Sequence, residues 1–402
     1  MDALWMRHFT AASALGLGRE ATCEALESGR SALAPCSFEG AELSTWVGEV
    51  AGLDAVRLPA AQAAYDCRNH RLAQLGLSQD GFAELARERI AHWGAGRVGV
   101  FMGTSTSGVR ETEIAYCHRD TQTGALPPGF EYRRVHNAFA LTDYVRQALG
   151  AMGPCVTICT ACSSSAKVFA AAQRMLAADL IDAAVVGGVD SLCMTTLYGF
   201  HSLQLTAPGP CRPFDRSREG LSISEAAAFA WLERARDQPE GSDILLLGAG
   251  ESSDAYHMSS PHPEGAGARR AMQAALQAAH LDARDIDYIN LHGTGTPSND
   301  AAEARAVHAL FGARVPCSST KGASGHALGA AGALEAVICA LALQVGLMPG
   351  GLNTHEPDSA LQLHYLTNNQ RAPLARVLSN SFGFGGANCA LLFARADGAR
   401  GG

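Results

Sequence analysis

"TICTACSSSAKVFAAAQRML", Thr157 to Leu176, is the stretch on which the reading of this chain turns. Val156 and Ile158 belong to an apolar, strand-like run after Gly153 and Pro154. Ser165, Val168, Phe169, Ala172, Met175 and Leu176 then recur at the i, i+3, i+4, i+7 spacing of one helical face. The order strand, small-residue turn, helix puts Cys162 at a helix N-terminus. Free N–H groups and the macrodipole favour an anion there, so the spacing predicts a thiol pKa pulled down. The same N–H groups would hold an oxyanion formed from a thioester carbonyl. Ser163, Ser164 and Ser165 leave room for a substrate beside the sulfur.

Three readings compete for Cys162: a small buried packing residue, half of a Cys159-x-x-Cys162 redox pair, and a nucleophile. Cys159 is expected within the strand, away from the access that exchange needs. A zinc site would need further ligands at paired spacing, and none of the remaining cysteines supplies a second pair, so no metal is expected.

Outward from this stretch, short apolar runs alternate with Ala-rich helical windows: "RVGVFMGTS", "CVTICT", "DAAVVGG", "DILLLGAG", "DIDYINLHG" and "ARVLSNSFGFGG". That alternation predicts a parallel-rich α/β architecture. Pro154 to Leu176 and Arg314 to Leu343 both read strand, small-residue turn, helix. The echo implies two related halves, residues 1–240 with the cysteine and residues 241–402 with two candidate histidines. The seam falls at "RDQPEGSD", Arg236 to Asp243, where Pro and Gly interrupt the pattern.

Hydrophobic residues at 47% supply a core for a chain of 402 residues, and 43 glycines fit tight packing and sharp turns. Lys and Arg number 31 against 39 Asp and Glu, a net −8 that argues against a general grip on nucleic acid or anionic lipid. Twelve cysteines show no disulfide framework, and the opening "MDALWMRHFTAASALGLG" lacks the pattern of a secretory signal, so a reducing cytoplasm is expected. The most apolar helical run, "AVICALAL" from Ala336 to Leu343, is too short to cross a bilayer, and no membrane span is expected.

A nucleophilic cysteine needs proton-handling partners. "YINLHGTGTPSND" puts His292 at the end of a predicted strand, before a Gly/Thr/Pro loop and a helix whose first turn carries Asp300 and Glu303. Ligand crevices form at such strand ends, and Thr294 and Thr296 offer hydroxyls to a polar substrate arm. "SSTKGASGHALGAAGALEA" puts Lys321 and His326 in a Gly/Ser loop opening a helix that carries Glu335. A lysine paired with a carboxylate can fix a histidine, and His326 near a helix start stays neutral. "NSFGFGGANCALLF", Asn380 to Phe393, carries too many glycines for strand throughout; a tight turn bringing N–H groups and Phe382 or Phe384 near the site is expected. No G-x-S-x-G elbow and no phosphate-binding loop is present.

"TACSSS", "HGTGTPSND", "KGASGHALGAAG" and "NSFGFGGAN", in that order and spacing, resemble the β-ketoacyl-acyl carrier protein synthases, the condensing enzymes of fatty acid and polyketide assembly. The resemblance runs from "FTAASALGLG" to the last strand. It implies a thiolase-like fold of two duplicated halves in α-β-α-β-α layers, assembled as a dimer. It implies that Cys162 accepts the acyl chain, that His292 and His326 assist malonyl decarboxylation, and that Lys321 and Glu335 hold the histidine geometry. Thr294 and Thr296 match partners of the phosphopantetheine arm. Phe384 matches a gating phenylalanine, with Phe382 beside it, and its N–H joins that of Cys162 in an oxyanion hole. Arg68, Arg71, Arg133 and Arg134 fall where the family has carrier-protein contacts, although solvated surface arginines fit equally. The implied reaction is decarboxylative condensation of malonyl carrier protein with a Cys-bound acyl chain, with no bound cofactor. Acyl carrier protein is the implied partner, together with a second copy or a chain-length-factor-like homologue. "GLSISEAAAFAWLE" keeps Glu225 but has Ser222, Ser224 and Ala227 where the family often has glycine. That departure, outside the four motifs, and "CRNHRLAQ" resemble condensing enzymes of aryl polyene or aromatic polyketide pathways. Two other functions stay open: a non-catalytic chain-length subunit and a coenzyme A-dependent thiolase.

Overall fold

The computed structural model describes residues 2–235 and 239–399. The expected seam therefore lies partly outside the described residues, at 236–238, and a strand begins just beyond it at Ile244. The main-sheet strands are β1 (Leu4–Ser13), β2 (Val98–Gly103), β3 (Cys155–Ile158), β4 (Ala183–Asp190), β5 (Ala226–Arg234), β6 (Ile244–Ser253), β7 (Tyr288–Asn290), β8 (Pro316–Ser318), β9 (His364–Tyr365), β10 (Arg376–Gly383) and β11 (Ala387–Arg395). Helices used below are α1 (Arg68–Leu77), α2 (Phe139–Leu149), α3 (Ser164–Ala177), α4 (Met194–Ser202), α5 (Ala266–Ala278), α6 (Pro297–Phe311) and α7 (Ala331–Val345).

The sheet runs β9-β8-β7-β10-β11-β6-β1-β5-β4-β2-β3. From β3 inward the pairings are parallel, parallel, antiparallel, antiparallel to β1. From β8 inward the same sequence of signs leads through β7, β10 and β11 to β6. The two halves thus repeat one topology. They join antiparallel through Leu4, Trp5 and Met6 against Leu246, Leu245 and Ile244.

Alternation along each strand shows the layers, because successive side chains leave opposite faces. Ala184 and Val186 of β4, and Ala228, Ala230 and Leu232 of β5, share an inner core with α3 and α7. Ala183, Val185 and Val189, with Ala227, Phe229 and Trp231, face an outer core with α1 and α2. The second half does the same: Cys389, Leu391 and Phe393 of β11 point inward, and Ala390 and Leu392 point to an outer layer holding α5 and α6. The result is helix, sheet, helix, sheet, helix, the expected fold class.

Small residues bring α3 onto the sheet. A Cβ at Gly188 would sit 2.4 Å from Ser165 Cβ, and one at Gly103 2.4 Å from the Ser165 nitrogen. Helix α7 carries the apolar run read above as too short for a membrane. With its leading turn it forms 18 residues, Leu328–Val345, of mean hydropathy 1.9, long enough to cross a bilayer; 89% of that segment is buried in the protein, as a central core helix is.

Candidate active site

Cys162 lies in the turn between β3 and α3, and Ala161 before it takes a left-handed φ of 51°. His292 lies two residues past β7. His326 lies between the short helical turn Lys321–Ser324 and α7. Both parallel β-α units deliver these groups from strand ends, where open α/β sheets form their crevices. The sulfur and one ring nitrogen of each histidine fall within 4.8 Å of one another. Cys162 Sγ is 3.0 Å from His326 Nε2, and the two imidazoles meet edge to face with centroids 5.3 Å apart.

The Cys162 thiol departs from expectation. Burial pushes it up to about 11; the positive charge of Lys321 and the Phe384 backbone N–H, aimed at the sulfur, pull it back only in part. The helix N-terminus does not win because the sulfur has lost its water, and desolvation disfavours the thiolate more than the local N–H groups favour it. The resting nucleophile is therefore a thiol in hydrogen-bond contact with an imidazole. The Cys162 N–H also faces its own sulfur.

Both histidines are held well below their ordinary value, first by burial and then by the Lys321 charge, so they are neutral at pH 7. Neutrality at His326 was expected from a helix start; burial is the larger cause. Lys321 Nζ donates to the His292 carbonyl at 2.5 Å, pairs with Glu335 of α7, and lies 3.4 Å from His292 Nδ1. An ammonium only donates, so Nδ1 accepts and the His292 proton sits on Nε2. The His326 backbone is fastened to the segment read as remote from the motifs: its N–H donates to Ser222 at 2.8 Å, and its carbonyl accepts from Ser224 N–H at 3.0 Å. That departure segment is thus in direct contact with a motif.

Glu303 holds the His292 loop, accepting from the N–H groups of His292 and Gly293 at 2.8 Å and from Asn380 at 3.1 Å. Burial raises its carboxyl to about 7. Asp300 accepts from Thr294 and Phe214 N–H. The Thr294 and Thr296 hydroxyls lie 2.9 Å apart on the wall of the cavity that reaches Cys162. This cavity holds about 30 Å³, room for one water. Phe384 and Phe200 of α4 meet at a tilt on its wall, centroids 5.6 Å apart, while Phe382 packs against His292 at 5.9 Å. The expected glycine turn is present, with Gly385 and Gly386 at φ 81° and 77° between β10 and β11.

Other expectations are corrected. Cys159 is exposed one residue past β3 rather than inside it. Arg68 is spent internally on Glu225 at 2.8 Å and Asp54 at 2.6 Å, and Arg71 pairs with Asp66 at 2.5 Å. Both guanidinium groups are thus ion-paired. Arg133 and Arg134 are exposed on a π-helical turn, Tyr132–His136. Phe200 went unread because it lies in no motif and meets Phe384 only through the fold.

A layered, duplicated α/β fold that brings a thiol and two neutral imidazoles to one cavity defines an acyl-transferring condensing enzyme. Residues 12–238 match the family "Beta-ketoacyl synthase, N-terminal domain" and residues 245–355 match "Beta-ketoacyl synthase, C-terminal domain". The chain belongs to the β-ketoacyl synthase family. It is 36% identical over 316 residues to a 3-oxoacyl-[acyl-carrier-protein] synthase 2 of Rhizobium meliloti, covering 75% of this chain and 74% of that one. It is 33% identical to a nodulation protein E from a Rhizobium species, over 94% of this chain and 96% of the relative. Its fold matches the ketosynthase ApeO of Xenorhabdus doucetiae, solved in complex with its chain length factor ApeC, at a TM-score of 0.89 and 34% identity over 98% of each chain.

Proposed function

We propose that this protein is a β-ketoacyl-[acyl carrier protein] synthase that condenses malonyl carrier protein with an acyl chain held on Cys162. The observation that carries the reading is the 3.0 Å contact from Cys162 Sγ to His326 Nε2, with His292 on the same cavity. In the first half-reaction the thiol proton passes to His326 as sulfur attacks the carrier thioester. The tetrahedral oxyanion accepts from the N–H groups of Cys162 and Phe384, and the departing pantetheine thiolate takes the proton back. In the second, the carbon–carbon bond of the malonyl group breaks and carbon dioxide leaves. The enolate oxygen accepts from the His292 Nε2–H and, once the His326 proton has moved from Nδ1 to Nε2, from His326 as well, and the enolate carbon attacks the acyl-cysteine. The cysteine thiolate released takes one proton from solvent. Lys321 and Glu335 fix the His292 tautomer, Thr294 and Thr296 receive the pantetheine arm, and Phe384, backed by Phe382, gates it. No bound cofactor enters any step.

Arg133 and Arg134 are the proposed contacts for the acidic carrier protein. Strand β3 ends the sheet with an unpaired edge beside exposed Tyr132, Phe139 and Met152, which supports a dimer with a second copy or a chain-length-factor-like homologue. The likeness to ApeO, a ketosynthase solved in complex with its chain length factor, supports a partner of that kind, and the "CRNHRLAQ" and "GLSISEAAAFAWLE" segments favour an aryl polyene or aromatic polyketide pathway. Residues 1–240 and 241–402 are the proposed domains, and the cytoplasm the proposed compartment. Incubation with acyl carrier protein loaded with an acyl chain should add the acyl mass to Cys162. Cys162→Ala should form no acyl-enzyme while still decarboxylating malonyl carrier protein; condensation by that variant would refute the reading. A non-catalytic subunit would show no acyl-enzyme at all, and a thiolase would turn over acetoacetyl-coenzyme A without a malonyl donor.

A further inference from the structure

We propose that Asp190, at the end of β4, is the positioning residue that holds the nucleophile turn and the His326 turn in register, and that Ser105 relays that hold to the nucleophile turn. The inference rests on the condensing-enzyme reading and adds a residue to it. Asp190 is fully buried, and no lysine or arginine pairs with it among the described residues. Its carboxylate is met by donors from two directions. Oδ1 accepts from Thr104 Oγ1 at 2.8 Å, Ser105 N–H at 2.8 Å, and Thr106 N–H and Oγ1 at 2.8 and 2.7 Å. Oδ2 accepts from the N–H of Ala330, at the start of α7 just past His326, at 3.2 Å. Ser105 Oγ in turn donates to the carbonyl of Ala161 at 3.3 Å. Asp190 and Ser105 together thus tie the residue before Cys162 to the turn after His326.

Strain marks the same two turns. Ala161 at φ 51° and Leu328 at φ 49° are non-glycine residues in the left-handed region, one flanking Cys162 and the other two residues past His326. Such residues cost about 1–3 kcal/mol each and persist only where surrounding contacts fix them. Asp190 and Ser105 supply contacts to both turns. A Cβ at Gly329 would lie 2.7 Å from Asp190 Oδ2 and 2.6 Å from Ser105 Oγ, so the two loops have no slack. His326 and His292 lie at the sulfur and the charges of Lys321 and Asp190 act on it with opposite sign; burial raises the Asp190 carboxyl, and its hydrogen-bond donors pull it back.

Asp190→Asn keeps the shape but turns an amide donor toward N–H donors and removes the charge. Misplacement of reacting groups by ~1 Å costs about 10²-fold. The variant should therefore load Cys162 from acyl carrier protein roughly a hundred times more slowly. Its rate of Cys162 alkylation by iodoacetamide should also rise at lower pH than in the wild type, because the negative charge that opposes the thiolate is gone. Loss of stability alone slows loading in proportion to the unfolded fraction and leaves that profile in place. Ser105→Ala, on an exposed residue, tests the relay without touching the carboxylate and should slow loading about tenfold. Loading within twofold of wild type in Asp190→Asn, or slower loading with an unmoved alkylation profile, overturns the proposal. Should Asp190→Asn fail to fold, wild-type loading in Ser105→Ala overturns it. A wild-type protein that never loads refutes the condensing-enzyme reading instead, and the alkylation profiles still report on Asp190.

Discussion

At the scale of the residue, the site works by contrast between a thiol that burial keeps protonated and imidazoles that burial keeps neutral. The Cys162 thiol stands at about 11, above its ordinary value of 9.0, so the thiolate fraction at neutral pH is small and grows as pH rises. The alkylation rate of Cys162 should climb through pH 9 and 10 without levelling; a plateau below pH 8, read by peptide mass spectrometry, would contradict the desolvation account. Glu303 makes a second test. Its folded value of about 7 lies above the ordinary 4.5, so the folded protein binds a proton that the unfolded chain releases, and the penalty of the charged carboxyl is present above pH 7 and relieved as pH falls toward 4.5. The stability of wild type relative to Glu303→Gln should therefore rise by about 3 kcal/mol from pH 8 to pH 4.5 in urea denaturation; an unchanging gap would refute it. The placement of Cys162, His292, His326 and Lys321 was legible in the sequence, because each stands in a turn of small residues after a strand. The thiol's upward shift was not, since it depends on how much water the fold leaves at the sulfur. Asp190 was not either: its partners lie 84 to 140 positions away along the chain.

At the scale of the element, α7 carries Glu335 into the core, where it meets Lys321 from the turn before it. Removing one member of a buried pair strands the other, at about 3–5 kcal/mol, whereas replacing both by apolar groups restores much of the loss. Glu335→Ala should accordingly lower stability by that amount, and Lys321→Met with Glu335→Leu should recover most of it in chemical denaturation. Equal stability of the single and double variants would show that the pair is not coupled. Six strands were legible from apolar runs bounded by turns. β1, β5 and β11 were not singled out: "AAAFAWLER" in β5 is alanine-rich, and burial on both faces rather than propensity makes it strand. The glycine turn before β11 was legible because two consecutive positive-φ residues demand it.

At the scale of the whole molecule, duplication supplies the site: one half brings the sulfur, the other both imidazoles. The echo between the two strand-turn-helix stretches made the pairing of halves legible, while the layer order followed only from which face each strand presents. The chain is acidic overall, at −8, so the proposed docking of an acidic carrier calls for local cations; of the four arginines named, Arg133 and Arg134 are exposed, with Arg134 over the Tyr65 ring. Arg133→Glu with Arg134→Glu should raise KM for carrier-bound substrate roughly tenfold and leave turnover of a short pantetheine thioester unchanged. An unaltered KM would remove them from the docking surface.

The central position of α7 bears on how the protein is made. The helix is synthesised after 330 of 402 residues, yet the inner faces of β1, β4 and β5 in the first half are covered by it. While the ribosome is still working, α3 alone of the two helices covers those faces, and the inner core stays incomplete until the last fifth of the chain emerges. A polypeptide ending at residue 330 should accordingly aggregate on release, although it contains the whole first copy of the repeat.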